Sequence, residues 1–389
     1  MKLAERMQRL GTESAFEVLA KARALEAQGR DIIHLQIGEP DFDTAEHIRQ
    51  AAKDALDAGY THYVPAPGIP PLREAVAAFL ERTGRLHTTP DRVVVTPGAK
   101  PIMFFTILAL CDEGDEVMYP DPGFPMYESI TSWIGGTPVP IPLREENAFR
   151  LDPEEFASLV TDRTKLIILS SPHNPCGSSL AREDLEAVAK VAIERDITVL
   201  SDEVYWAISY DRPHASILEI DGMPERTVLL DGWSKTFAMT GWRLGFGVFP
   251  EALVEPVTRL VINSVSCTSA FSQHAAIAAL TGPWEPVERM VAEFRRRRDV
   301  IVNGLNSIDG ISCISPDGAF YVFPSIAGVG RPSKEIETHL LENAGVACLS
   351  GTAFGRHGEG YLRFSYANSV ENIQRALDAV EEALKEVRR

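Results

Sequence analysis

From about Asp31 onward, short runs rich in Val, Ile and Leu alternate with longer stretches whose apolar residues recur every three or four positions. The short runs read as strands buried on both faces, and the longer ones as helices crossing between them. That pattern predicts a mostly parallel sheet, with strands at Arg92–Val95, Asp115–Tyr119, Lys165–Leu169, Thr198–Ser201, Thr227–Leu230 and Leu244–Val248. Helices at Pro71–Thr83, Arg182–Glu194 and Glu251–Val261 lie between or beside them. At Gly282-Pro283-Trp284-Glu285-Pro286 the alternation breaks. A long charged helix, Val287–Asn306, follows it, with short strands near Phe320–Phe323 and Tyr361–Phe364. The expected division is an N-terminal segment, 1–45, that joins a small C-terminal domain, 284–389, around a large domain, 46–283. There is no internal repeat and no low-complexity tract.

Composition narrows the function classes. With 38 Lys and Arg against 55 Asp and Glu, the formal charge is −17, which repels nucleic-acid phosphates unless basic residues are segregated on one face. The only tight basic run, Arg295 to Arg298, sits in the long charged helix and reads as a solvated face. Five widely spaced cysteines with no C-x-x-C pair suggest neither a disulfide framework nor a zinc site, and no histidine pattern suggests another metal. Residues Met1 to Arg30 lack the apolar core of a signal peptide, and the longest apolar run, Ile102–Cys111, is too short to cross a bilayer. A cytoplasmic protein with no nucleic-acid or membrane partner is expected. No G-x-G-x-x-G opens a βαβ unit and no Walker-type loop is present, so a nucleotide site is not indicated.

In open α/β sheets, ligands bind beyond the carboxyl ends of the strands, which focuses attention on four loops. Thr96-Pro97-Gly98-Ala99-Lys100 puts small residues at a helix N-terminus and reads either as a phosphate cradle or as a structural turn. In Ser171-Pro172-His173-Asn174-Pro175-Cys176-Gly177, the Asn174 amide either meets a ligand oxygen or caps the loop. Ser201-Asp202-Glu203-Val204-Tyr205 places a carboxylate past an apolar strand, where it is costly unless paired, and a phenol three residues later. Asp202 can hold a heterocyclic nitrogen protonated, or cap a turn. Finally, Lys235 follows an apolar strand among small and aromatic residues, with Arg243 eight residues on as a fork for phosphate.

The segment Ser234-Lys235-Thr236-Phe237-Ala238-Met239-Thr240-Gly241-Trp242-Arg243 resembles the lysine motif of the class I/II, fold type I, pyridoxal-phosphate (PLP) aminotransferases, within the aspartate and aromatic aminotransferase subgroup. The likeness spans nearly the whole chain. It includes Leu35-Gln36-Ile37-Gly38-Glu39-Pro40, Tyr60-Thr61-His62-Tyr63, the Asn174 loop, Ser201-Asp202-Glu203 and Tyr361-Leu362-Arg363-Phe364-Ser365.

The resemblance implies an α/β fold with a mostly parallel central sheet flanked by helices, and a smaller α+β domain formed by the two chain ends. It implies PLP as cofactor, and amino-group transfer from an L-amino acid to a 2-oxo acid such as 2-oxoglutarate. Lys235 would bind the cofactor covalently and move the proton at substrate Cα. Asp202 would hold the ring nitrogen protonated, Tyr205 and Asn174 would hydrogen-bond the ring oxygen, and Phe124 would stack on the ring. Gly98, Ala99, Lys100, Ser234 and Arg243 would hold the phosphate, with Tyr63 reaching in from the other subunit of a homodimer. Arg363, assisted by the Gly38 backbone, would clamp the substrate α-carboxylate, and Lys100 is a candidate for a distal one. The chain departs from the usual pattern at Cys176, where Thr is usual, and at Gly232, where Ser is usual, which bears on cofactor affinity. A C–S lyase and an inactive PLP-binding sensor are the competing readings.

Overall fold

The computed structural model of the chain describes residues 1–387. In chain order, β1 (Ile33–His34) precedes β2 (Val93–Thr96), β3 (Glu116–Asp121), β4 (Thr137–Pro142) and β5 (Thr164–Ser170). These are followed by β6 (Thr198–Asp202), β7 (Thr227–Gly232) and β8 (Gly245–Val248), then β9 (Tyr321–Val322), β10 (Val346–Ala347), β11 (Leu349–Ser350) and β12 (Leu362–Ser365). Strands β2 to β8 form one sheet in the order β2-β8-β7-β6-β5-β3-β4.

Every predicted strand of that sheet is present. One of them, β8, runs antiparallel to both neighbours. A parallel return needs a crossover long enough to carry the chain back along the sheet. Between Gly232 and Gly245 there are only turns and a short 3-10 segment, so the chain re-enters the sheet from the end at which it left. The pattern of apolar residues did not predict β4, whose sequence is Thr-Pro-Val-Pro-Ile-Pro. Pro138, Pro140 and Pro142 alternate, so the N–H groups they lack would all have pointed to one side. Such a strand is tolerated only at a sheet edge, which is where β4 lies.

Alternate residues of the strands feed cores on the two sides of the sheet. Val94, Val117, Leu166, Leu200 and Val228 pack with Ile107 of the helix Lys100–Leu110 and Val257 of Glu251–Ser264. On the other side, Ile167 and Val199 pack with Val188 of Arg182–Glu194, and Val93, Val95 and Leu229 with Val76 and Ala276. A further cluster joins Ile33 and Leu35 to Phe294 and Ile301 of the helix Glu285–Ser307 and to Ile373 and Val380 of Val370–Val387. There β1 pairs in parallel with β10, and β11, β12 and β9 form an antiparallel sheet.

The basic run departs from the reading of a solvated face. Arg297 and Arg298 are each only 6% exposed; Arg297 donates to Asp41 at 2.6 Å and Arg298 to Asp211 at 2.5 Å. Four consecutive arginines span a full helical turn, so two of them must point inward. Among the described residues, no helix is long and apolar enough to cross a membrane.

Candidate active site

The strands β2, β5, β6 and β7 end on one rim of the large sheet, delivering Gly98 to Lys100, Asn174, Asp202 and Ser234 with Lys235 to the same place. Because β8 is antiparallel, it begins at that rim and brings Arg243, just ahead of it, to the group. All of these except Gly98 line a cavity of about 660 Å³, together with Phe124 and Tyr205. The two chain ends close it, through Gly38 from the N-terminal side and Arg363 on β12.

One end of the cavity is built for an anion. Gly98 adopts a positive φ of 88° and its missing side chain leaves room for the Arg243 guanidinium, which a Cβ there would strike. Arg243 is itself left-handed at φ 54° and donates from Nη1 to the Thr240 carbonyl at 2.7 Å. The helix Lys100–Leu110 starts beside it, adding the positive end of its dipole. At the unusual Gly232, a Cβ would sit 3.0 Å from the Leu244 carbonyl oxygen and 3.1 Å from Gly245 Cα. A serine there would press the backbone at Leu244 and Gly245, just after Arg243, so glycine permits the close approach of β7 and β8.

Deeper in, Tyr127 donates its hydroxyl to Asp202 Oδ2 at 2.7 Å, and the Val204 N–H donates to Oδ1 at 3.4 Å. Burial pushes Asp202 up to about 6, although both donors pull the other way. Lys235 Nζ donates to the Gly38 carbonyl and lies 5.7 Å from the ring centroids of Tyr205 and Phe320. Burial, reinforced by the Arg363 charge, lowers it to about 8, so roughly a tenth is free amine at pH 7, far more than for an ordinary lysine. The Tyr205 hydroxyl shares a 2.7 Å hydrogen bond with Tyr321.

Arg363 is 4% exposed and both its hydrogen-bond acceptors are neutral: Asn174 Oδ1 at 2.9 Å and the Gln36 carbonyl at 2.5 Å. Its Nε has no hydrogen-bond partner among the described residues, and its guanidinium lies 4.4 Å and 4.8 Å from the ring centroids of Tyr321 and Phe354. A buried guanidinium without a carboxylate is costly unless a ligand supplies one. The residues therefore offer an anion site at Arg243, a carboxylate site at Arg363, and a buried lysine and a buried carboxylate between them.

Behind the cavity lies a separate charged cluster. Arg85 donates to Asp231 Oδ2 at 2.6 Å and to Glu203 Oε2 at 2.8 Å, thereby bridging the residue after Asp202 to the strand that leads to Lys235. Glu203 also accepts from Ser201 at 2.9 Å, Ser216 at 2.5 Å and His214 at 3.0 Å.

Two residues singled out in the sequence stand apart. Tyr63 is 89% exposed and does not line this chain's cavity. Lys100 does line it, but its ammonium is paired with Glu13. Sequence reasoning missed Glu13, Gln36, Arg85, Tyr127 and Tyr321. Tyr127 lies in the same Pro122-Gly123-Phe124-Pro125-Met126-Tyr127 segment that supplied Phe124, and its position one turn on was an available signal. The others reach their partners only through long-range folding.

With this geometry in hand, the relatives are informative. The family model for aminotransferase class I and II matches residues 30–380. An aspartate aminotransferase of Pyrococcus abyssi is 44% identical over 92% of both chains, and an aromatic-amino-acid aminotransferase of Thermococcus litoralis 41% over 99% of both. The solved aspartate aminotransferase of Thermus thermophilus with maleate superposes with a TM-score of 0.94 at 36% identity, covering 98% of this chain and 100% of that one. The family is PLP-dependent and works by a ping-pong cycle. The chain belongs to the class I and II aminotransferases, with their fold type I architecture, and is an aminotransferase.

Proposed function

We propose that this aminotransferase binds PLP in the cavity, with Lys235 as its covalent anchor, and moves the amino group of an L-amino acid, such as aspartate, glutamate or one of a broader range, to 2-oxoglutarate or a similar 2-oxo acid. The observation that carries the reading is a lysine lowered to about 8 facing the same cavity as a carboxylate raised to about 6, between two arginines with no carboxylate partner among the described residues.

PLP, when bound, supplies an aldehyde that captures amino groups and a ring that withdraws electrons from them. Arg243, Ser234, the Gly98 to Lys100 backbone and Tyr63 of the partner subunit would hold its phosphate. The exposure of Tyr63 in the single chain suits a homodimer that shares its sites. Asp202, held by Tyr127, would stay ionised opposite a protonated ring nitrogen, since a positive charge there reverses the effect of burial. Tyr205 and Asn174 would donate to the ring oxygen, and Phe124 would cover the ring face. Arg363 would fork onto the substrate α-carboxylate beside the Gly38 backbone and fix the substrate Cα relative to Lys235, whose free amine would hold or move the proton there.

The domains would divide as 46–283 for the large cofactor-binding part and 284–389 with 1–45 for the small one, the enzyme being cytoplasmic. The test is the visible spectrum of the purified protein before and after adding excess amino acid alone. Loss of the absorption band, restored by 2-oxoglutarate, is expected. No chromophore after added PLP would defeat the reading, and pyruvate with ammonia as products would replace it with β-elimination.

A further inference from the structure

Glu13 and Lys100 come from distant parts of the chain and meet on the wall of the cavity. Glu13 lies in the extended segment just before the helix Ser14–Glu26, and Lys100 is the first residue of the helix Lys100–Leu110. Their side chains form an ion pair. The Glu13 side chain is 18% exposed and that of Lys100 51%, so the carboxylate is the more enclosed partner. The Lys100 ammonium also lies 5.5 Å from the centroid of the Phe124 ring.

An inventory of the charges in the cavity gives the pair its meaning. The cationic side chains of its lining are Lys100, Lys235, Arg243 and Arg363, and the anionic ones are Glu13, Glu39 and Asp202. On the reading proposed above, Lys235 carries the cofactor, Arg243 its phosphate and Arg363 the α-carboxylate of the substrate. Lys100 is then the one cation left for a carboxylate on the substrate's own side chain, and a residue of the same chain already occupies it. An acidic side chain would have to displace Glu13 and share the space with it, a like-charge contact that acts against binding. An apolar or aromatic side chain meets no such obstacle, because the rest of the lining includes Phe16, Ile37, Met103, Leu349 and Phe354.

We propose that Glu13 is a specificity-determining residue that masks Lys100 and turns the site toward donors with uncharged, apolar or aromatic side chains. This rests on the assignment of the cavity as the amino-acid site. The same masking acts on a dicarboxylic 2-oxo acid, so 2-oxoglutarate should show a high KM in the native enzyme.

The test measures kcat/KM for phenylalanine and for aspartate on the PLP-loaded native enzyme and on Glu13→Gln, which keeps the shape of the residue and removes its charge. The native enzyme should favour phenylalanine. Glu13→Gln should raise the aspartate-to-phenylalanine ratio by about fivefold, the upper size of one charge contact in a partly exposed site, and lower the KM for 2-oxoglutarate. Adding Lys100→Met to Glu13→Gln should remove the gain, because the freed ammonium is its source. Donors that react with an unchanged ratio in Glu13→Gln would overturn the proposal and leave the aminotransferase site standing. If neither donor discharges the chromophore of either protein, the assignment of the cavity fails and the role of Glu13 fails with it.

Discussion

Two clusters of buried charge lie at the same strand ends and are built in opposite ways. Around Arg85, the charges are matched within the chain: one guanidinium spans Asp231 and Glu203, and Glu203 takes further donors from two serines and His214. Although burial alone would raise it, His214 and Arg85 hold the Glu203 carboxyl well below the usual range. In the cavity, by contrast, Arg363 has only neutral acceptors, Lys235 is lowered and Asp202 raised. A buried charge satisfied from within the protein contributes to holding the fold. One left short of its counter-charge costs stability until a ligand completes it. The two clusters share a seam, since Glu203 follows Asp202 directly and Asp231 precedes the loop of Lys235.

This contrast predicts which substitutions cost activity and which cost stability. The largest effect expected is on turnover: Lys235→Ala should lower kcat by on the order of 10⁴-fold, with no loss of urea stability in the cofactor-free protein. Steady-state rates within tenfold of the native enzyme would show that the lysine is not the reacting centre. Arg85→Met should instead lower unfolding stability by about 3–5 kcal/mol, because it strands two buried carboxylates. Unchanged urea denaturation would dissolve the distinction between the clusters.

Asp202→Asn sharpens it from the other side. Between pH 3.8 and about 6, the folded protein keeps a proton on Asp202 that the unfolded chain has lost, so this group's contribution to stability falls as pH rises through that window. Above it, the ionised group costs roughly 3 kcal/mol. In the cofactor-free protein at pH 7, Asp202→Asn should therefore raise stability by up to about that amount while impairing transamination. A fall in stability at pH 7 with none at pH 4 would mean that the carboxylate is already matched within the chain.

Much of the site was legible because the relevant residues sit immediately after apolar strands. In a sheet with helices on both faces, a buried run ends where polar chemistry becomes affordable, so Asn174, Asp202 and Lys235 could be picked out by local pattern alone. Arg363 and Gly38 were reached through family resemblance, since nothing in their neighbourhoods announces a cavity. The direction of β8 could not be read, because a Val, Ile and Leu run reports burial and carries no direction, and β4 was missed because its prolines hide it.

By itself, the sequence determined the alternation of strands and helices, the order of the loops and the chemical identity of the groups they carry. Periodicity and composition encode which side chains avoid water. Tertiary structure alone decided how those groups are paired: Tyr127 with Asp202, Arg85 with Glu203 and Asp231, and Glu13 with Lys100. Whether a charge is matched depends on what lies within a few ångströms of it in space, and these partners are 75 to 146 residues away along the chain. The ionisation of Lys235 and Asp202, and the balance between an open and a masked Lys100, follow from that packing.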